Sequence, residues 1–390
     1  MGGPSGQIKG FIEMKKRLGA LALLAAAVSL PGMVSAATDP NLPTYPAKPM
    51  FVVGPKINNP IPPHRAASNL PQWNGSYTDL KGNTVKFTQI GGDPSNTNST
   101  STINVLLIPI KFVITQNGTT YIFNPKNVKL ANNHDRNVIK AMLNSPLFTT
   151  DIDFAPQYGS CATKSKCVDL GQTQYIDAFQ RGTWWGNDIQ QNSDYHTIYT
   201  TTVEKEQTIT ITCSSGCVAY EFGVQAGLMD INQFDAKIQT FLNNIADVNP
   251  GVLPLFISYD VYLTSGGCCI GGYHNANSGP PGGQTYSYAT YVDKAGAFSQ
   301  DVSAFSHELG EWEDDPFTNN FVHCTDNSLM EVGDPLEGLA NYGAFKYKDH
   351  GFKYNLQSLV YMPYFGAPLS DSANQWYAIQ DDMSHVCPGQ

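Results

Sequence analysis

Ser306-His307-Glu308-Leu309-Gly310-Glu311-Trp312-Glu313-Asp314-Asp315-Pro316, followed one loop later by Glu331-Val332-Gly333-Asp334, is the stretch around which the chain is organised. On a helix, at about 100° per residue, His307, Glu311 and Asp314 share one narrow stripe. Val302, Phe305, Leu309 and Trp312 form the opposite face. The spacing predicts a helix from about Asp301, with one side that packs and one that binds. Pro316 ends it, because proline lacks an N–H and clashes with the preceding turn. Side chains four apart lie one above the other and can grip one ion from the same side, so His307 and Glu311 are candidate metal ligands, with Glu308 beside them.

This is the geometry of the His-Glu-x-x-His zinc helix, in which the outer residues hold the metal and the Glu activates water. Here the pattern reads His-Glu-x-x-Glu. The bland alternative is a solvated acidic face, but such a face usually mixes Lys and Arg with its acids. Between Gln300 and Pro316 the only basic residue is His307. The five carboxylates from Glu308 to Asp315 therefore repel one another unless a cation neutralises them, and Glu331 and Asp334 bring further acids back after the helix.

Lys15-Lys16-Arg17, an apolar run from Leu18 to Leu30, and small residues at Val34-Ser35-Ala36 read as a secretory signal peptide over residues 1–36, with Met14 as an alternative start. Its removal makes a chain of formal charge −10 more acidic still, which argues against nucleic acid or an anionic membrane as partner. No later segment is long and apolar enough to span a bilayer. A secreted or periplasmic bacterial protein is expected.

All eight Cys follow the signal segment, and an even count in an exported chain favours disulfides over a zinc cluster, for which no pair of Cys-x-x-Cys units exists. Cys161 with Cys167 and Cys213 with Cys217 would close short loops. Cys268 and Cys269, being adjacent, are expected to reach Cys324 and Cys387 rather than each other.

The Pro-rich stretch within residues 37–100 reads as an extended arm or propeptide. Residues 101–220 read as a β-rich region and 221–390 as the metal-binding domain. Strands are expected over Thr102–Thr115 and Tyr121–Phe123, joined through an Asn117-Gly118 turn. Helices are expected over Asp135–Leu143 and Thr173–Phe179, and Tyr195–Val203 with Gln207–Cys213 reads as a polar hairpin. A helix over Asn232–Ile245 carries an apolar stripe. Buried strands over Leu253–Leu263 and Thr285–Val292 complete an α+β fold, a small mixed sheet between a backing helix and an active-site helix.

The helix, strands and downstream acid resemble the catalytic domain of zincin metallopeptidases of the branch whose third metal ligand is a downstream Glu. The resemblance implies His307 and Glu311 as helix ligands, Glu308 as general base, Glu331 as third ligand, and Asp334 as orienting His307. The wider run of Gly272-Tyr273-His274, Tyr286 to Tyr291, His307 to Pro316 and Glu331 to Pro335 is also similar to secreted bacterial proteins of poorly defined function. More remotely it resembles the plant phosphate-induced, Exordium-like proteins. The pattern departs from zincins in two places. Glu311 stands where the second His would be, and the downstream spacing is Glu-x-x-Asp, one residue shorter than in the thermolysin-like branch. Both Glu331 and Asp334 therefore stay open as the third ligand.

On this reading zinc polarises the carbonyl of a peptide substrate, Glu308 moves the proton, and a further donor stabilises the oxyanion. His274, Tyr286, Tyr288 and His323 are the candidates for that donor, the two tyrosines having core packing as their plainer role. The rival reading uses Asp314, Asp315, Asn319, Asn320, Glu331 and Asp334 as oxygen donors to calcium, in a non-catalytic, secreted binding or cell-wall module with a degenerate zincin fold. A glycosidase with paired carboxylates and sugar stacking on Trp184-Trp185 ranks last. No Gly-x-Ser-x-Gly elbow or phosphate loop supports a serine hydrolase or a nucleotide enzyme.

Overall fold

The computed structural model describes residues 42–43, 48–50, 54–55, 69–78, 82–131, 136–150, 170–184, 189, 193–279, 282–322, 328–349, 351–361, 376–377, 379 and 383–384. The chain divides into units 1–38 and 39–390, and all described residues belong to the second. The expected signal segment and Cys161, Cys167, Trp185, His323, Cys324, His385 and Cys387 lie outside the described residues. Among those described, no helix is long and apolar enough to cross a membrane.

Strand β3 (Thr100–Gln116) is the spine of the fold. Its side chains alternate between two cores, as a period of two requires. Ile103, Val105 and Leu107 enter one hydrophobic cluster, and Leu106, Ile108, Ile110, Phe112 and Ile114 enter the other. With both faces covered, its middle reads as an unbroken apolar run. β4 (Thr119–Phe123) pairs back antiparallel through the expected turn, where Asn117 and Gly118 adopt φ of 47° and 81°.

β5 (His196–Val203) and β6 (Gln207–Cys213) do not form the expected hairpin. Both run parallel to β3, with Thr100 opposite His196 and Ile110 opposite Gln207. The length of β3 explains this. It offers two successive docking edges, and the amide of Glu204 bonds the Leu107 carbonyl at 2.9 Å to carry the chain straight on.

β9 (Val252–Tyr259) joins the other edge of β3, followed by β13 (Thr285–Tyr291) and β12 (Gly272–Ala276), in the order β12-β13-β9-β3-β4. With β5 and β6 the sheet is mixed and has seven strands, larger than expected, and it joins elements from both sides of residue 220. The single strand expected over Leu253–Leu263 is broken at Asp260, whose φ of 50° turns the chain. The remainder, β10 (Val261–Thr264), enters a second sheet with β7 (Val218–Glu221), β8 (Val224–Asp230) and β11 (Cys268–Ile270).

Helices cover the large sheet on both faces. α3 (Ile231–Asn244) starts where the Asp230 carboxylate caps the amides of Asn232 and Gln233. It packs Phe234, Ile238 and Leu242 on the face of Phe256, Tyr286 and Tyr288, and each large apolar side chain so buried contributes about 1.5–3 kcal/mol. α4 (Ser303–Asp314) lies on the opposite face, where Phe305, Leu309 and Trp312 meet Leu255, Ile257 and Ala289. α1 (Val138–Leu143) and α2 (Tyr175–Thr183) fill the same side. The chain is therefore broadly α+β, with strands predominating.

Cys213 pairs with Cys217 as expected. Cys268 pairs with Cys269 instead of a distant partner: the peptide bond between them is cis, bringing their Cα atoms to 3.0 Å. Part of the Pro-rich arm lies against this edge. The Lys48 amide bonds the Cys268 carbonyl at 2.9 Å, the Met50 amide bonds that of Cys269 at 2.8 Å, and the Pro55 carbonyl accepts from Asn275 Nδ2 on β12 at 2.9 Å.

Candidate metal centre

Helix α4 is an unfavourable segment by its own electrostatics. Its last turn carries Glu311, Glu313 and Asp314 with no basic residue, although the C-terminal end of a helix favours cations. All three side chains are buried. The helix stands because its apolar face is locked into the core, and its polar residues are carried along wherever the 3.6-residue period directs them.

His307, Glu308 and Glu311 are directed into a cavity of about 130 Å³ that is also lined by His274, Glu331, Asp334 and Glu337. His307 Nε2 lies 3.0 Å from Glu311 Oε1 and 3.5 Å from Asp334 Oδ1. These three side chains offer ligand atoms within 4.8 Å of one another. The Gly333 amide donates to Glu311 Oε1 at 3.1 Å and so fixes the carboxylate. Gly333 is required there, because a Cβ would collide with the His307 ring. Gly272 plays the same part for Glu308, whose Cγ and Oε1 would lie 2.6 Å from a Cβ on that strand residue.

The second imidazole nitrogen of His307, Nδ1, lies 3.1 Å from Glu337 Oε1, in an ion-pair contact that lacks hydrogen-bond angles. Asp334 thus faces Nε2 of the His307 ring and Glu337 faces Nδ1. Glu337 escaped the sequence reading, although Glu331, Asp334 and Glu337 recur every three residues. Its Oε2 is buried with no hydrogen-bond partner among the described residues.

His274, on β12, has Nδ1 3.5 Å from Glu308 Oε2 and 3.9 Å from Glu311 Oε2, and Nε2 3.1 Å from the Asp315 carbonyl. Tyr286 and Tyr288 are on the far face of the sheet. Tyr286 donates to Asp235 and Tyr288 bonds Ser258 and the Val261 carbonyl, so neither reaches the cavity. Trp184 is a core residue stacked on Phe87.

Asp314 does not share the wall of His307 and Glu311. Its Oδ1 accepts from Gln89 and from Gln180, the latter at 2.8 Å. Asp315 Oδ1 accepts the amides of Asn319 and Asn320 at 2.8 and 2.9 Å and closes the turn after α4. Asn320 Nδ2 is spent on the carbonyls of Thr88 and Asp314. Glu313 is fully buried, near Tyr199 and Gln180, with neither carboxylate oxygen in a well-formed hydrogen bond among the described residues.

Burial dominates the acid–base state of these groups. It pushes Glu311 and Glu337 up to about 8, against the opposing pull of His307. It also raises Asp334, and raises Glu331 strongly with Glu311 adding to the effect. For His274 burial alone would lower the pKa, but the adjacent Glu308 carboxylate and the charge of Glu331 outweigh it and hold the ring at about 9. His307 lies well above its ordinary value because Glu311 and Glu337 overcome burial. A cavity holding this many partly protonated acids is poised to exchange protons for a cation.

The donor set is one imidazole nitrogen with carboxylate oxygens, the chemistry zinc accepts. The unpartnered Glu337 oxygen and the glycine cradle at 333 fit a charged occupant beside His307. Comparison with known proteins finds no matching family model, curated protein or solved structure.

Proposed function

We propose that the chain is a secreted, metal-dependent peptidase built on a zincin-like arrangement, with zinc held by His307, Glu311 and Asp334 and with Glu331 within the same cavity. The observation that carries this reading is the convergence of those three ligand atoms within 4.8 Å of one another, in the cavity that Glu308 also lines, with no Lys or Arg on the helix that supplies His307 and Glu311. Zinc bound there supplies Lewis-acid polarisation of a scissile carbonyl and of the attacking water.

The chain's own residues do the rest. Glu308 takes the proton from the water and delivers it to the leaving amine. His274, beside it on β12, offers the donor for charge that develops on the carbonyl oxygen. Glu337 holds His307 in orientation. A polypeptide is favoured as substrate because β12, the end strand of the sheet among the described residues, borders the cavity through Gly272 and His274, beside arm residues Met50 and Gly54, and a sheet edge accepts an extended peptide by backbone hydrogen bonding.

Glu308→Gln tests the assignment. Hydrolysis of a quenched peptide library should fall by about 10²–10⁴-fold, with the one zinc held by His307, Glu311 and Asp334 retained. Turnover that survives the substitution would remove Glu308 from the chemistry, and a wild type without turnover would favour a calcium-stabilised binding module.

A further inference from the structure

We infer that the cavity has places for two divalent cations, bridged by the Glu311 carboxylate, the second position being formed by His274, Glu308 and Glu311. This rests on the metal reading of the first position and extends it. Two overlapping sets of three ligand atoms converge, His307–Glu311–Asp334 and His274–Glu308–Glu311, each within 4.8 Å. Glu311 is common to both, and its two oxygens face different ways. Oε1 is 3.0 Å from His307 Nε2 and Oε2 is 3.9 Å from His274 Nδ1. That is the disposition of a bridging carboxylate.

The tautomer of His274 supplies an independent argument. A carbonyl only accepts, so the 3.1 Å contact with the Asp315 oxygen places the hydrogen of a neutral ring on Nε2. Nδ1, which gives up any proton it carries when an ion binds, is the nitrogen that faces Glu308 Oε2 at 3.5 Å and Glu311 Oε2 at 3.9 Å. Imidazoles that bind metal commonly present this arrangement, one nitrogen tied to a carbonyl and the other free to coordinate. Both separations exceed a good hydrogen bond. Two ligands of one tetrahedral ion, each about 2.0–2.2 Å from the metal, stand about 3.3–3.5 Å apart. His274, Glu308 and Glu311 are at most 5 % exposed, so little water competes for these three side chains.

The donors suffice for both positions: Glu308, Glu311, Glu331, Asp334 and Glu337 line one small cavity with two imidazoles. At the second position Glu308 is spent as a ligand, so a second ion competes with its role in moving the proton. Turnover should therefore peak near one equivalent of metal and fall as the second binds.

The test is a Mn²⁺ titration of the metal-free full chain, with bound ion measured by equilibrium dialysis and the loaded protein examined by electron paramagnetic resonance. The expected result is two ions per chain and an exchange-coupled spectrum, since carboxylate-bridged ions lie about 3.5–4 Å apart. His274→Ala and, independently, Glu308→Gln should each reduce this to one uncoupled ion. One ion per chain in the wild type, unchanged in both variants, overturns the second position and leaves the first standing. Two uncoupled ions that persist in both variants also overturn it. No bound ion in the wild type would remove the first position as well.

Discussion

Replacement of Asp314 by Asn separates a buried structural acid from a metal ligand. Asp314 is fully buried, its Oδ1 accepts from Gln89 and Gln180, and its Oδ2 has no hydrogen-bond partner among the described residues. Burial raises its pKa from 3.8 to about 7. An acid whose folded pKa is raised contributes stability that is present below its unfolded pKa and is lost as pH rises through the folded value. The separation of about three pH units corresponds to roughly 4 kcal/mol at pH 8, as an upper bound. Asn keeps the Oδ1 acceptor and never ionises, but its NH₂ meets no partner, which costs about 1–3 kcal/mol. The variant should therefore be more stable than wild type by about 1–3 kcal/mol at pH 8, with the advantage gone near pH 4. Urea midpoints of the metal-free proteins at the two pH values measure this, and metal uptake should be unaltered. A variant that is destabilised at pH 8 and has lost bound cation would refute the reasoning and return Asp314 to the ligands.

Two further outcomes follow from the site. Because Glu311 and Glu337 are held at about 8 by burial and the His307 ring is also raised, zinc binding at pH 7 should expel protons, so that affinity rises with pH through about 8. Calorimetry in two buffers of different ionisation enthalpy would detect the release, and equal heats in both would contradict it. Gly333→Ala places a methyl against the His307 ring and should cost about 10–100-fold in metal affinity through the displaced imidazole. Unchanged affinity would mean that the ring is not held where the site requires it.

Much of the fold was legible from periodicity. The two faces of β3, the apolar stripe of α3 and the packing side of α4 each follow from side-chain spacing within one element. The partners of β5 and β6 did not, because alternation identifies a strand and leaves its neighbour unspecified. A non-glycine residue at positive φ, Asp260, broke a strand that reads as continuous. In the site, His307, Glu308 and Glu311 were visible as neighbours on one helix, and Glu331 and Asp334 as acids returning to it. Asp314 was misplaced because helical phase alone put it on the stripe, whereas Gln89 on β2 (Thr84–Ile90) and Gln180 on α2 claim its carboxylate from elements distant in sequence. Glu337 was missed for a similar reason: a turn past Asp334 brings its Oε1 3.1 Å from His307 Nδ1.

The central claim is that His307 and Glu311 hold a metal, and elemental analysis of the purified chain addresses it most directly. Wild type should carry zinc, about one tightly held ion per chain after dialysis against buffer without added metal, and His307→Ala and Glu311→Ala should each lose it. Calcium alone, unaffected by His307→Ala, would contradict the account and leave a calcium-stabilised binding module in its place.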